Sequence, residues 1–188
     1  MSNQLSIAYL PTLKRWEGAV PWLYLDSCGN VTIWAGLMLP DAGEALDYPL
    51  LTSAVVPTPA TAQEIENAWN QVHGMQEGHL PAFYAYSGCL RISAEDGDDI
   101  ALGKLDILVE TLSKGISGFD GMRQAWKMAL LDMIFNLGPS GLLKGFPHLI
   151  AAVEHGNGHL AAQQCHRIGV DNERNQWTVD CFSGTISA

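Results

Sequence analysis

Long apolar runs are missing from this 188-residue chain: no stretch approaches the roughly 20 apolar residues that span a bilayer. The opening, MSNQLSIAYLPTLKRW, lacks a charged segment followed by an unbroken apolar one, so it does not read as a secretory signal. Export would therefore need another route. Positive charge is scarce as well, with 10 Lys and Arg against 20 Asp and Glu and a net charge of −10. A nucleic-acid binder needs clustered Lys and Arg to displace counterions, so that class is disfavoured. The four cysteines, Cys28, Cys89, Cys165 and Cys181, are scattered and form no CxxC pair, which argues against a zinc site. Buried free thiols are the simpler reading, and Cys165–Cys181 is the one bridge worth testing. What remains is ordinary: 47% hydrophobic and 16% charged residues, enough for one domain or two closely packed lobes.

The segment LPTLKRWEG predicts a short helix, with Pro11 near its start, Gly18 ending it, and Leu13, Trp16 and Val20 as its buried stripe. In WLYLDSCGNVTIWAG, two aromatic and β-branched runs flank Ser27-Cys28-Gly29-Asn30, a hairpin pattern. Residues 40–60 are rich in Pro, Gly, Ser and Thr and read as loop or irregular strand. Thr61-Ala62-Gln63-Glu64 has capping-box spacing and opens a helix to about Val72. Beyond it, AEDGDD at 94–99 reads as a solvated acidic turn, without the alternating ligands and distal Glu of a calcium loop. Helices are expected from Ile100 to about Leu112, from Gly121 to Leu137, and around 146–154, 159–168 and 171–182. The second of these is apolar nearly all round and should be central. The layout predicts an α+β protein in which a small β-hairpin lobe is followed by a larger helical one.

One constellation carries chemistry. Glycoside cleavage needs a protonated carboxylic acid beside the leaving oxygen and a second, ionised carboxylate. The two must sit in different environments. Glu17 ends an apolar helix beside Trp16 and Gly18, a setting expected to raise its pKa, whereas Asp26 at a hairpin turn should stay ionised. Thr32, on the returning strand, offers a hydroxyl that could hold a water near Asp26.

The string Glu17-Gly18, Tyr24-x-Asp26, Gly29-x-x-Thr32 and Gly36 resembles the signature of the phage-type lysozymes, glycoside hydrolase family 24. The resemblance implies a lysozyme-like fold over 1–188. The β lobe and the start of an inter-lobe helix opened at Thr61 would occupy 18–72, the helical lobe 5–17 plus 100–188, and 73–99 would be an insertion. It implies Glu17 as general acid, Asp26 as base or stabilising carboxylate, and Thr32 as the residue positioning the water. MALLDMIFNLGPSGLLKGFPHL is similar to the family's central helix and following turn, with Phe135, Asn136, Gly138, Gly141 and Phe146 at the matching places. Phe135 and Asn136 thereby become candidate saccharide contacts, as does Gly36. GVDNERNQWTVDCF resembles the family's C-terminal helix, which implies that Arg174, eight residues before Phe182, approaches Glu17.

On this resemblance the expected activity is an endo-muramidase cutting the β-1,4 bond between N-acetylmuramic acid and N-acetylglucosamine, with inversion. No cofactor or metal is implied. The expected partner is peptidoglycan, with neither nucleic acid nor membrane, and the chain is expected to act as a monomer. The sequence fits both an endolysin passed through the membrane by a holin and a secreted antibacterial effector. An effector would meet an immunity or inhibitor protein. The acidic balance and the insertion lean toward it.

The sequence also departs from the family pattern. Trp34 stands where the family commonly has glycine, and Leu37 where it has histidine. A sugar-stacking platform and a core filler are equal readings of Trp34. The alternatives are a chitosanase-like glycosidase, suited to a cationic polymer, and a non-catalytic wall-binding module. His148, His155, His159 and His166 read as structural or solvated, since Gly156 and Gly158 interrupt any shared helical face.

Overall fold

The computed structural model describes residues 3–186. Their chain forms two compact units, one of residues 12–101 and one of residues up to 11 together with 102 onward. The α+β expectation holds: a three-stranded antiparallel sheet lies in the first unit, and helices dominate the second.

Helix α1 runs Gln4–Glu17, earlier and longer than the predicted short helix. The missed start signal is Asn3, whose side chain accepts from the Leu5 N–H at 2.8 Å and caps the first turn. The buried stripe is Leu5, Tyr9 and Leu13 rather than Leu13, Trp16 and Val20, because Val20 already belongs to the first strand. Gly18 ends the helix at φ +78°, its N–H donating to the Lys14 carbonyl.

In the sheet-bearing unit, β1 (Val20–Leu25) pairs with β2 (Val31–Trp34), which pairs with β3 (Leu37–Met38). The 40–60 segment contains a short helix, α2 (Ala42–Ala45), capped by Asp41. Helix α3 (Ala62–His73) begins with the predicted capping box: Thr61 Oγ1 accepts from the Glu64 N–H, and Glu64 accepts from the Thr61 N–H. The 73–99 segment includes a single 3₁₀ turn, Pro81–Tyr84, anchored to β1. Trp22 Nε1 donates to the Pro81 carbonyl at 2.9 Å, and the Ile92 N–H donates to the Pro21 carbonyl.

The acidic run 94–99 is not a turn. It opens α4 (Ala94–Gly115), with Ser93 Oγ accepting from the Asp96 N–H. Acidic side chains in a first turn complement the helix dipole, so the charges favour a helix start there. The chain passes between the two units within α4, at residues 101 and 102, and not within the helix that Thr61 opens.

The helical unit is built around α5 (Gln124–Gly145), which buries Trp126, Leu130, Leu131, Met133 and Ile134, as an all-round apolar sequence requires. Gly138 breaks it at φ +71°, and Pro139 starts the continuation. Helices α6 (Pro147–Glu154), α7 (Gly158–Gln164) and α8 (Asn172–Ser183) complete the unit. All four cysteines are free, so the Cys165–Cys181 bridge is not formed. Burial pushes the Cys165 thiol up to about 11 and the Cys181 thiol to about 12, so both stay protonated and inert.

Candidate active site

Glu17 is the last residue of α1 and is half-buried. Its carboxylate sits against the turn between β2 and β3, where Gly36 has φ +72°. A Cβ built on Gly36 would lie 3.2 Å from Glu17 Cγ and 3.2 Å from Glu17 Oε2. Only glycine fits this position without moving the carboxylate, so Gly36 forms one wall of the Glu17 seat.

Asp26 closes β1 and organises the hairpin turn that follows. Its Oδ1 accepts from the backbone N–H groups of Cys28 and Asn30, each at 2.8 Å, and its Oδ2 accepts from Asn30 Nδ2 at 3.1 Å. The Asp26 N–H donates in turn to the Asn30 carbonyl at 3.0 Å. These bonds fix the carboxylate's direction. Thr32 lies directly opposite Tyr24 across the β1–β2 ladder, so the two share a face with Asp26, two residues beyond Tyr24. The Thr32 hydroxyl donates to the Asn30 carbonyl at 3.1 Å, which leaves its lone pairs as acceptors only.

Tyr24 is the site residue whose role the sequence reading left unassigned. It is 6% exposed. Burial, then the negative charges of Glu17 and Asp26, push its phenol far above the ordinary tyrosine range. Both proposed catalytic carboxylates thus act on one phenol, which stays protonated as a donor. The period-two step from Asp26 to Tyr24 was the available signal.

Trp34 and Leu37 are core residues, 5% and 1% exposed, so Trp34 is no surface platform for a sugar. Its backbone is unusual: φ is +52°, the left-handed region, which costs a non-glycine residue about 1–2 kcal/mol. The indole N–H donates to Asp98 Oδ1 at 2.9 Å, and Lys14 Nζ donates to both Asp98 oxygens at 2.9 and 3.0 Å. Lys14 Nζ also stands 5.1 Å from the Trp34 ring centre.

The remaining predicted residues lie in the helical unit. Phe135 is half-buried and Asn136 exposed, at the end of the helical run before Gly138. Arg174 is buried and bound to Asp132 on α5, with Nε 3.0 and 3.2 Å from the two carboxylate oxygens and Nη2 2.9 Å from Oδ1. Asp132 is fully buried and also takes Arg167 Nη2 at 2.8 Å and the Tyr9 hydroxyl at 2.6 Å. Arg174 is therefore part of a buried charge network that the sequence reading missed. The signal was a lone Asp in an all-apolar helix, which demands a partner. Among the described residues no group of three or more His, Cys, Asp or Glu could hold a metal ion. His155 Nδ1 instead pairs with the Ala151 carbonyl, and His159 with Gln163.

An open pocket in the sheet-bearing unit, lined by Thr52, Asn67, Gln71, Tyr86 and Ser87 among others, includes none of these catalytic candidates. No protein-family model matches the chain, and no curated protein sequence matches it. Solved structures do. An endolysin from Escherichia coli O157:H7 phage FAHEc1 is 18% identical, with a TM-score of 0.58 over 100% of this chain and 99% of that one. A mutant of P22 lysozyme is also 18% identical, with a TM-score of 0.54 over 94% of this chain and 95% of that one. With its hairpin, its helical unit and a match along nearly its whole length, the chain has the fold of the phage-type lysozymes.

Proposed function

We propose that the protein is a peptidoglycan hydrolase, an endo-muramidase that cleaves the β-1,4 bond between N-acetylmuramic acid and N-acetylglucosamine. The observation that carries this reading is the pair Glu17 and Asp26, set in two different environments yet both acting on Tyr24. Glu17 sits in a shaped seat against a glycine turn, and the Asp26 carboxylate is held in a fixed direction by three N–H donors. That contrast is what acid and base roles on one sugar require.

In the proposed reaction Glu17 gives its proton to the glycosidic oxygen as the bond to the anomeric carbon breaks. A water on the opposite face loses a proton to Asp26 and adds its oxygen to that carbon, inverting the configuration. Thr32, whose own proton is committed to the Asn30 carbonyl, accepts the water's second hydrogen and orients its lone pair. Phe135 and Asn136 are the proposed saccharide contacts of the helical unit. Trp34 and Leu37 are buried, so neither offers a surface on which a wall-binding module could hold its polymer.

The test is digestion of purified peptidoglycan by wild type and Glu17→Gln, with products read by mass spectrometry. Muropeptides ending in reducing N-acetylmuramic acid are expected from wild type. The variant should release them about 10²–10⁴-fold more slowly, the usual contribution of a general acid. Equal release by both proteins would remove Glu17 from the acid role. Cleavage of chitosan but not of peptidoglycan would reassign the substrate.

A further inference from the structure

The Trp34 turn is held by three residues from three elements. Lys14 comes from the last turn of α1, three residues before Glu17. Trp34 ends β2, and Asp98 lies in the first turns of α4. Asp98 Oδ1 accepts from both the indole N–H and the Lys14 ammonium, while the ammonium also faces the indole ring. Gly97 completes the arrangement: a Cβ there would lie 2.5 Å from Trp34 Cδ2, so the bare backbone of α4 packs flat on the ring.

Left to itself, a tryptophan would leave the left-handed region for a relaxed conformation. Here its ring is fixed on one face by Gly97, at its edge by Asp98, and by the Lys14 charge. What the turn carries is the other side of the argument. The Gly36 N–H donates to the Trp34 carbonyl at 3.1 Å, and Gly36 is the wall against which Glu17 rests. A change in the Trp34 backbone therefore reaches Glu17 through a single residue, Ala35, and one close contact.

We propose that Lys14, Trp34 and Asp98 are positioning residues that hold the strained turn, and through Gly36 the carboxylate of Glu17, in the geometry for proton donation. The proposal rests on the reading of Glu17 as the acid. None of the three residues touches the substrate; each acts through the turn. Asp98 is the hub, since it alone binds the other two through hydrogen bonds.

The experiment uses the full chain and four proteins: wild type, Asp98→Ala, Asp98→Asn and Trp34→Phe. Two readouts are taken. One is kcat and KM on soluble glycan fragments, and the other is hydrogen exchange of the Gly36 amide, with the Ile65 amide of α3 as internal control. The expected result for Asp98→Ala is a Gly36 amide exchanging about tenfold faster than wild type, an unchanged Ile65 amide, and kcat down about tenfold with KM within about twofold. Asp98→Asn keeps an oxygen acceptor for the indole and should recover most of both losses. Trp34→Phe keeps an aromatic ring, smaller than the indole, but loses the N–H and should match Asp98→Ala, so the test survives if that variant fails to fold.

Wild-type kcat and wild-type Gly36 protection in folded Asp98→Ala or Trp34→Phe would overturn the proposal. So would a uniform rise in exchange at Gly36 and Ile65 alike, which marks general destabilisation. If wild type itself cleaves no glycan, the muramidase reading fails and with it the catalytic purpose of the triad. The exchange data then still decide whether the three residues hold the turn.

Discussion

Asp26 and Asp132 are both carboxylates with several donors, and they differ in where the donors come from. Asp26, in the sheet-bearing unit, takes its described bonds from Cys28 and Asn30, two and four residues away. Asp132, in the helical unit, takes its bonds from Tyr9, Arg174 and Arg167, and the first two are 123 and 42 residues away. Asp26 remains half-buried, whereas Asp132 is sealed. A turn that satisfies its own carboxylate keeps that group directed and still reachable. A carboxylate sealed between two guanidiniums ties helices together and has no chemistry to offer a substrate.

Substitution should separate the two kinds. Removing a partner from a buried ion pair typically costs about 3–5 kcal/mol, because the remaining charges are left unpaired. Asp132→Ala removes the carboxylate shared by two buried guanidiniums and should lose stability on that scale, read as a lower denaturant midpoint. Glu17→Gln should lose activity yet keep a wild-type midpoint. If Asp132→Ala unfolds with wild-type stability, the contrast between the two carboxylates collapses.

Gly36→Ala sharpens the comparison within the sheet-bearing unit. The added Cβ meets the Glu17 side chain at 3.2 Å in a left-handed backbone, so about 1–2 kcal/mol of stability should be lost. Turnover per folded molecule should fall as well, measured after correction for the unfolded fraction. Gly18→Ala, another left-handed glycine but with only Val20 Cγ2 nearby at 3.8 Å, is the control for strain without that contact.

The smallest effect belongs to Thr61→Ala, which removes the α3 cap and should cost about 1 kcal/mol with activity intact. Its pH dependence has a definite sign. The hydrogen bonds from Thr61 hold the Glu64 carboxyl below its ordinary 4.5. A carboxylate depressed on folding contributes stability above its unfolded value and loses it as pH falls through the folded one. The stability gap between wild type and variant should therefore be widest at neutral pH and narrow in acid. A gap that widens as pH falls would contradict the capping box.

The reading of the β hairpin from sequence and its structure agree because hairpins are local objects. Ser27-Cys28-Gly29-Asn30 supplied the turn chemistry and put Thr32 on the returning strand, where the ladder sets it opposite Tyr24. The Thr61 box and the all-apolar α5 were legible for the same reason. The acidic 94–99 run was misread because composition alone does not separate a solvated turn from a helix start; the capping hydroxyl of Ser93 does. The start of α1 was missed because one asparagine, Asn3, marks it.

Sequence alone determined the α+β layout, the carboxylate spacing and the turn around Asp26, since each depends on residues a few positions apart. Only the tertiary structure decided that Arg174 binds Asp132, that Trp34 is a buried residue held by Asp98 and Lys14, and that the Cys165 and Cys181 thiols stay free. Each of these is settled by groups brought together from distant parts of the chain. Local propensity carries no information about which distant partner will satisfy a buried charge or a strained turn.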